Sequence, residues 1–175
     1  MSIKNIKYRT LIARHGESVY YYAFSFLKNE MDAEDVSQEV WLKVWNNIDN
    51  FSWTKAKAWI LKTTHNSAID ILRKRKKDFN EITENEVELI QDESFESNPG
   101  RIAEARSSLT NIEDAISRLP EQLRSVFLLY EIEGFKYREI AEILKIPVNS
   151  VKVYLMRARI KLQEMVQLLE EEIYE

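Results

Sequence analysis

The chain contains no cysteine, which excludes disulfides and thiolate metal sites and suits a reducing compartment. Only two histidines occur, His15 and His65, and they form no metal-spaced set. Three glycines leave no glycine-rich loop to cradle a phosphate, so an enzyme of the phosphate-processing kind finds little support, and no catalytic residue, metal or cofactor is expected. No apolar run approaches the ~18 residues of a membrane span, and the N-terminus is polar and basic rather than a signal peptide. The expectation is a cytoplasmic protein with no direct membrane insertion. With three prolines, few other turn residues and no long β-branched alternation, the chain lacks the marks of a sheet protein.

What remains is helix-forming sequence. At 175 residues and 45% hydrophobic, the chain can bury one core or two small ones, and the expected class is all-α. Its net charge of -4 is unevenly divided. Residues 1–77 hold 14 basic and 8 acidic side chains, residues 78–100 hold 8 acidic and no basic ones, and residues 101–175 hold 11 against 13. A polyanion meets the local field of the basic part rather than the net charge.

A first helix is predicted over 6–27 from Leu11, Ile12, Val19, Ala23, Phe26 and Leu27. A second opens at Met31 or Asp32, with Ala33, Val36, Val40 and Val44 on its buried stripe. That spacing puts Asp32, Asp35, Glu39 and the apolar Leu42 together on the other face, a docking surface for a basic partner or a solvated acidic face. The polar segment that follows breaks the helix and carries Phe51 and Trp53 beside Lys55 and Lys57. Aromatics interleaved with lysines can stack unpaired bases, or simply plug a small core. A third helix over 56–76 buries Ala58, Leu61, Ala68 and Leu72, and His65 on the same stripe is read as a core histidine. Trp59, Lys62, Asn66 and Arg73 lie opposite and run into the basic stretch 73–77, either a nucleic-acid track or a favourably placed helix end.

Residues 78–107 have no clear period and are read as a flexible acidic linker between two helical domains, 1–77 and 108–175. In the second, Leu109, Ile112, Ile116 and Leu119 restart a helix, Pro120 sits at the first turn of the next, and Leu123, Val126, Phe127 and Tyr130 continue the core. Tyr137, Ile140, Ala141 and Leu144 predict a short helix that Pro147 ends, and a longer one starts near Val148 with Val151, Leu155, Ala158, Leu162, Met165 and Leu169 inward. This is the outline of a helix-turn-helix. Opposite Leu155 lie Asn149, Ser150, Val153, Met156, Arg157 and Ile160, flanked by Lys152 and Lys161, and residues 145–162 hold five basic and no acidic side chains. Such a face suits base edges and phosphates, and an ordinary solvated basic face is the alternative.

Three stretches, DAEDVSQEVWLKVWNNIDNF, AWILKTTHNSAIDILRKRKK and LPEQLRSVFLLYEIEGFKYREIAEILKIPVNSVKVYLMRARIKL, resemble in order the second and fourth conserved regions of bacterial RNA polymerase sigma factors of the extracytoplasmic-function group. Each alone is moderate evidence, because LuxR-type regulators end in a similar helix-turn-helix. Together, with an acidic linker between them, they are specific. The resemblance implies a chain that binds core RNA polymerase, through its β′ clamp and β flap, and directs it to promoter DNA in a stress or envelope response under an anti-sigma factor. It assigns Asp35, Gln38, Glu39 and Leu42 to the β′ clamp. It assigns Asn50, Phe51, Trp53, Lys55, Trp59, Lys62, Asn66 and Arg73 to the minus-ten element. Asn149, Ser150, Lys152, Val153, Met156 and Arg157 fall where the family reads the minus-thirty-five duplex, and the linker where it threads the polymerase channel. Lys145 and Asn149 stand where glycines are common, Val153 replaces a small polar residue and Tyr154 an arginine. Lys145 must then adopt the turn conformation that glycine usually supplies.

Overall fold

The computed structural model describes the backbone over residues 2–50, 52–84 and 108–174, and seven α-helices account for nearly all of it. The expectations for Phe51 and for residues 85–107 fall outside the described residues, as do those for the side chains of Leu109 and Leu169. The first lobe consists of α1 (Ile3–Leu27), α2 (Glu30–Asn47) and α3 (Trp53–Glu84), each packed on the other two. The second consists of α4 (Ser108–Arg118), α5 (Glu121–Phe127), a π turn (Leu128–Ile132), α6 (Tyr137–Leu144) and α7 (Val148–Tyr174), with α7 packed on α4, α5 and α6.

Local chemistry sets the turns. Lys28 ends α1 in the left-handed region, φ 51°, with its N–H donating to the Phe24 carbonyl, and Asn29 caps α2 by accepting from the Asp32 N–H at 3.0 Å. Glu30 and Asp32 in the first turn of α2 complement the positive end of the helix. The stripe Ala33, Val36, Val40 and Val44 is fully buried as its spacing predicts. Burying each valine is worth about 1.5–3 kcal/mol, and this stripe holds α2 in the lobe.

The element boundaries differ from the sequence reading at several points: α1 begins at Ile3 rather than residue 6, and α3 at Trp53 rather than residue 56, so Trp53 and Lys55 lie in its first turn. α2 begins at Glu30, one residue earlier, because Asn29 supplies the cap. α3 runs to Glu84, past the charge reversal at Asp78, so residues 78–84 belong to the helix rather than the linker. The segment expected to continue α5 widens into the π turn, where the Phe135 N–H reaches back to the Leu129 carbonyl at 2.9 Å and Gly134 takes φ 74°. Ile12 and Ile112, placed on apolar stripes by periodicity, are exposed; Ala58 and Leu72 are half-buried; Ile60, Ile69 and Ile143 fill core positions instead.

The turn of the helix-turn-helix follows the expectation for Lys145. Its φ is 55° and ψ 45°, the left-handed conformation, with its N–H donating to the Ala141 carbonyl. The Lys136 N–H at the other end of α6 donates to Glu139 Oε2 at 2.8 Å. The Pro147 carbonyl accepts from the N–H groups of Ser150 and Val151 and starts α7.

The two lobes touch. α3 packs on α6 and α1 on α4, and one apolar cluster runs from Leu11, Tyr22 and Phe26 through Ile60 and Ile69 to Val126, Leu129, Ile140 and Leu155.

Candidate nucleic-acid and partner interfaces

The outer face of α2 presents Asp35, Gln38, Glu39 and Leu42, all exposed, with Leu42 63% accessible. Valines on the inner stripe fix the rotation of the helix, so an apolar side chain stands among acids in water. The Glu39 carboxylate pairs with Lys43 one turn on, at 2.5 Å, an exposed pair of little energetic consequence. Asp32 does not belong to this face. Its carboxylate is drawn into an ion pair with Arg75 of α3, whose guanidinium also donates to the Leu27 carbonyl at 3.2 Å. Arg75 of the basic run is therefore committed to these contacts, while remaining exposed like Arg73, Lys74 and Lys76.

Asn50, Trp53 and Lys55 are exposed at the turn into α3, Trp53 at 47%. Lys7, Leu11, Ile48, Trp53 and Ala56 line a recess of about 10 Å³. That is room for about one water, so a base entering here must displace the Trp53 ring. Along α3, Trp59 and Lys62 are half-buried and Asn66 and Arg73 exposed, all on the side away from the core of the first lobe. His65 is half-buried on the inner side of α3. Its Nδ1 shares a hydrogen bond with the buried Tyr22 hydroxyl at 3.1 Å, Phe26 packs edge-on against its ring, and burial, helped by the nearby Arg73 charge, lowers its pKa to about 4. A neutral imidazole is the form this site holds.

On α7, Val151, Leu155 and Ala158 are buried and Asn149, Lys152, Val153, Met156 and Arg157 exposed, with Ser150 half-buried. Met156 is 56% accessible. This is a continuous strip of amides, hydroxyl, cations and apolar groups on the first three turns of a helix whose turn is fixed by Lys145. Arg159, one of the five basic residues counted in this stretch, points elsewhere: its Nε and Nη2 both donate to Glu131 Oε1, at 2.8 and 2.5 Å, and its guanidinium lies over Tyr130. Tyr130 stacks on Tyr137 with centroids 5.1 Å apart, bracing the π turn against α6.

The described residues include no group of three His, Cys, Asp or Glu side chains placed to hold a metal ion, and no helix among them is long and apolar enough to cross a membrane. What they offer is an exposed acidic face with an apolar centre on α2, an exposed mixed basic face on α7, and an aromatic and basic face along α3 that is exposed at Trp53, Lys55, Asn66 and Arg73 and half-buried at Trp59 and Lys62. Sequence reasoning set Lys57 among the lysines beside the aromatics and did not single out Arg124. Lys57 instead donates to the Glu133 carbonyl and Arg124 to the Ser25 carbonyl, each across to the other lobe, and nothing in local periodicity connects residues 76 and 99 positions apart.

The sigma-70 region 2 family matches residues 11–78, and the sigma-70 region 4 family matches residues 109–162. The RNA polymerase sigma factor SigV of Bacillus subtilis is 32% identical over 166 residues, covering 94% of this chain and 92% of that protein. The ECF RNA polymerase sigma factor SigE of Mycolicibacterium smegmatis is 27% identical over 154 residues, covering 88% of this chain, which spans 59% of that protein's length. Among solved structures, the sigma factor RpoE of Bartonella quintana, in complex with the anti-sigma factor NepR, shares the fold with a TM-score of 0.70 at 22% identity, over 91% of this chain and 96% of that one.

Proposed function

We infer the function of this chain from the family to which it belongs, the extracytoplasmic-function group of sigma-70 RNA polymerase sigma factors. It binds core RNA polymerase and directs it to particular promoters, in the cytoplasm, without itself catalysing a reaction. The observation that supports this reading is the simultaneous presence, on two lobes, of an exposed acidic face with an apolar centre on α2 and an exposed mixed basic face on α7.

Asp35, Gln38, Glu39 and Leu42 dock on the β′ clamp, the carboxylates meeting basic groups and Leu42 supplying the desolvated centre. The second lobe contacts the β flap. Asn149, Ser150, Lys152, Val153, Met156 and Arg157 enter the major groove of the minus-thirty-five element, where a good bidentate contact discriminates by about 1–3 kcal/mol. Asn50, Phe51, Trp53, Lys55, Trp59, Lys62, Asn66 and Arg73 hold the melted minus-ten strand. Extruding a base costs on the order of a few kcal/mol, and stacking it on an aromatic ring returns about 1–3 kcal/mol, so Trp53 offsets much of the cost of one flipped base. An anti-sigma factor holds the chain until its signal arrives, as the partner named in the RpoE complex suggests.

The test is to add the purified chain to core polymerase with a genomic DNA library and sequence the transcript starts. Starts that share an upstream and a downstream motif at fixed spacing support the reading. Starts no different from those of core polymerase alone refute it.

A further inference from the structure

The recess beside Trp53 takes one of its walls from α1. The first half of that helix is of one sign, since residues 2–16 hold Lys4, Lys7, Arg9 and Arg14 and no carboxylate. Lys4 and Lys7 stand three residues apart, on one side of the helix, and both reach the turn into α3. Lys4 is committed there to structure. Its ammonium pairs with Asp49 at 3.5 Å and lies 4.8 Å from the centre of the Trp45 ring. Lys7 is half-buried and lines the recess with Trp53, Leu11, Ile48 and Ala56, and it pairs with no carboxylate among the described residues. Leu11, Ile48 and Ala56 are buried, so the recess joins an apolar floor to an aromatic side and a cationic side.

That combination fits one nucleotide better than one base. A lysine side chain packs its stem on apolar surface and leaves its ammonium free to choose a partner. The ammonium is a compact charge with three donors and no acceptor, so it suits a phosphate and discriminates poorly between base edges. A base that swings out of the stack pivots about its own backbone, which brings the flanking phosphate to the rim of the recess that the base enters. Surfaces that hold single strands pair stacking rings with cations along the backbone for this reason.

We propose that Lys7 of α1 holds the phosphate of the nucleotide flipped onto Trp53, which makes the N-terminal helix part of the strand-binding surface. The proposal rests on the assignment of Trp53 to the flipped base. It adds a second fixed point: stacking holds the base, and a charge beside the ring fixes the register of the backbone.

The test uses holoenzyme formed from core polymerase and the full chain, with a promoter fragment from the mapped transcript starts whose minus-ten region is opened as a mismatched bubble. A set of such fragments carries one neutral methylphosphonate each along the non-template strand. With the wild-type chain, one linkage beside the flipped base is expected to weaken binding about tenfold, the loss of one charge-assisted contact. Lys7→Met keeps the apolar stem and removes the charge. It is expected to weaken binding to the unmodified fragment by the same factor, to abolish the effect of that linkage, and to reduce the slope of log K against log salt by about 0.7. Lys7→Arg should restore all three. Arg9→Gln removes a charge from an exposed position about 200° further round α1 and should leave the linkage effect in place.

The scan with the wild-type chain decides even if Lys7→Met fails to fold: no sensitive linkage beside the flipped base overturns the proposal. A linkage effect that survives Lys7→Met overturns it too, as does a loss that changes with the identity of the flipped base, which would be a base contact. Wild-type holoenzyme that holds the bubble no better than core polymerase alone brings down the proposed function itself, and this inference with it.

Discussion

The Tyr22 hydroxyl and the His65 ring nitrogen Nδ1 lie 3.1 Å apart inside the first lobe, joining α1 to α3 through a hydrogen bond that a neutral imidazole completes. Burial holds the His65 pKa at about 4, against about 6.5 for an unfolded histidine. The unfolded chain therefore takes up a proton at a pH where the folded chain does not, and stability that is complete above pH 6.5 is lost as the pH falls toward 4. His15 is shifted in the same direction by burial and by the Lys57 charge, opposed in part by Glu133. Urea unfolding between those pH values is expected to show a loss on the order of 3 kcal/mol from His65. His65→Leu should show a distinctly shallower loss, and equal slopes would mean that His65 is not held neutral in the fold.

Lys145 tests the turn. A side chain in the left-handed region costs about 1–2 kcal/mol that glycine does not bear, partly offset by glycine's greater loss of backbone freedom. Lys145→Gly is expected to stabilise the protein by up to about 1 kcal/mol, and Lys145→Val, with its branched Cβ, to destabilise it. Thermal melts that rank the two the other way would contradict the geometry of the turn.

Arg157 is exposed on the α7 face and reads duplex in the proposed mechanism. Arg157→Ala should weaken binding to the upstream element by about 1–3 kcal/mol while leaving transcription from a template with a pre-formed bubble nearly unchanged. Equal losses on both templates would remove Arg157 from the duplex contact.

Trp53 has the opposite signature. Its half-exposed ring closes a recess too small for a base, so base capture requires the ring to move and then stack. Trp53→Ala should lower permanganate reactivity of minus-ten thymines in the open complex, by the equivalent of about 1–3 kcal/mol of lost stacking, without affecting upstream duplex binding. An unchanged footprint would assign the flipped base to another residue.

How much of this was legible in the sequence depends on the range of the interaction. The α2 stripe was readable because four residues at helical spacing all face one core, and the outward acids with Leu42 follow from the same rotation. The αL turn at Lys145 followed from the departure from glycine in the family pattern. The length of α3 was misjudged, since the charge reversal at Asp78 resembles the start of a linker while the helix continues to Glu84. The spacing puts Asp32 on the acidic outer face of α2 and Arg75 in the basic run, yet they pair with one another, and Arg159, one of the five basic residues of 145–162, pairs with Glu131 of the π turn, because each finds a partner on another element. Ile12 and Ile112 fit apolar stripes yet are exposed. The Lys57–Glu133 and Arg124–Ser25 contacts across the lobes depend wholly on tertiary structure, and no local pattern foretells them.

The central claim is that this chain is a detachable subunit of RNA polymerase, and gel filtration of the purified chain mixed with core polymerase tests it most directly. The account predicts co-elution with the polymerase, lost in Leu42→Arg, whose exposed position leaves the fold and its circular dichroism unchanged. A wild-type chain that elutes at its own volume, apart from the polymerase, would contradict it.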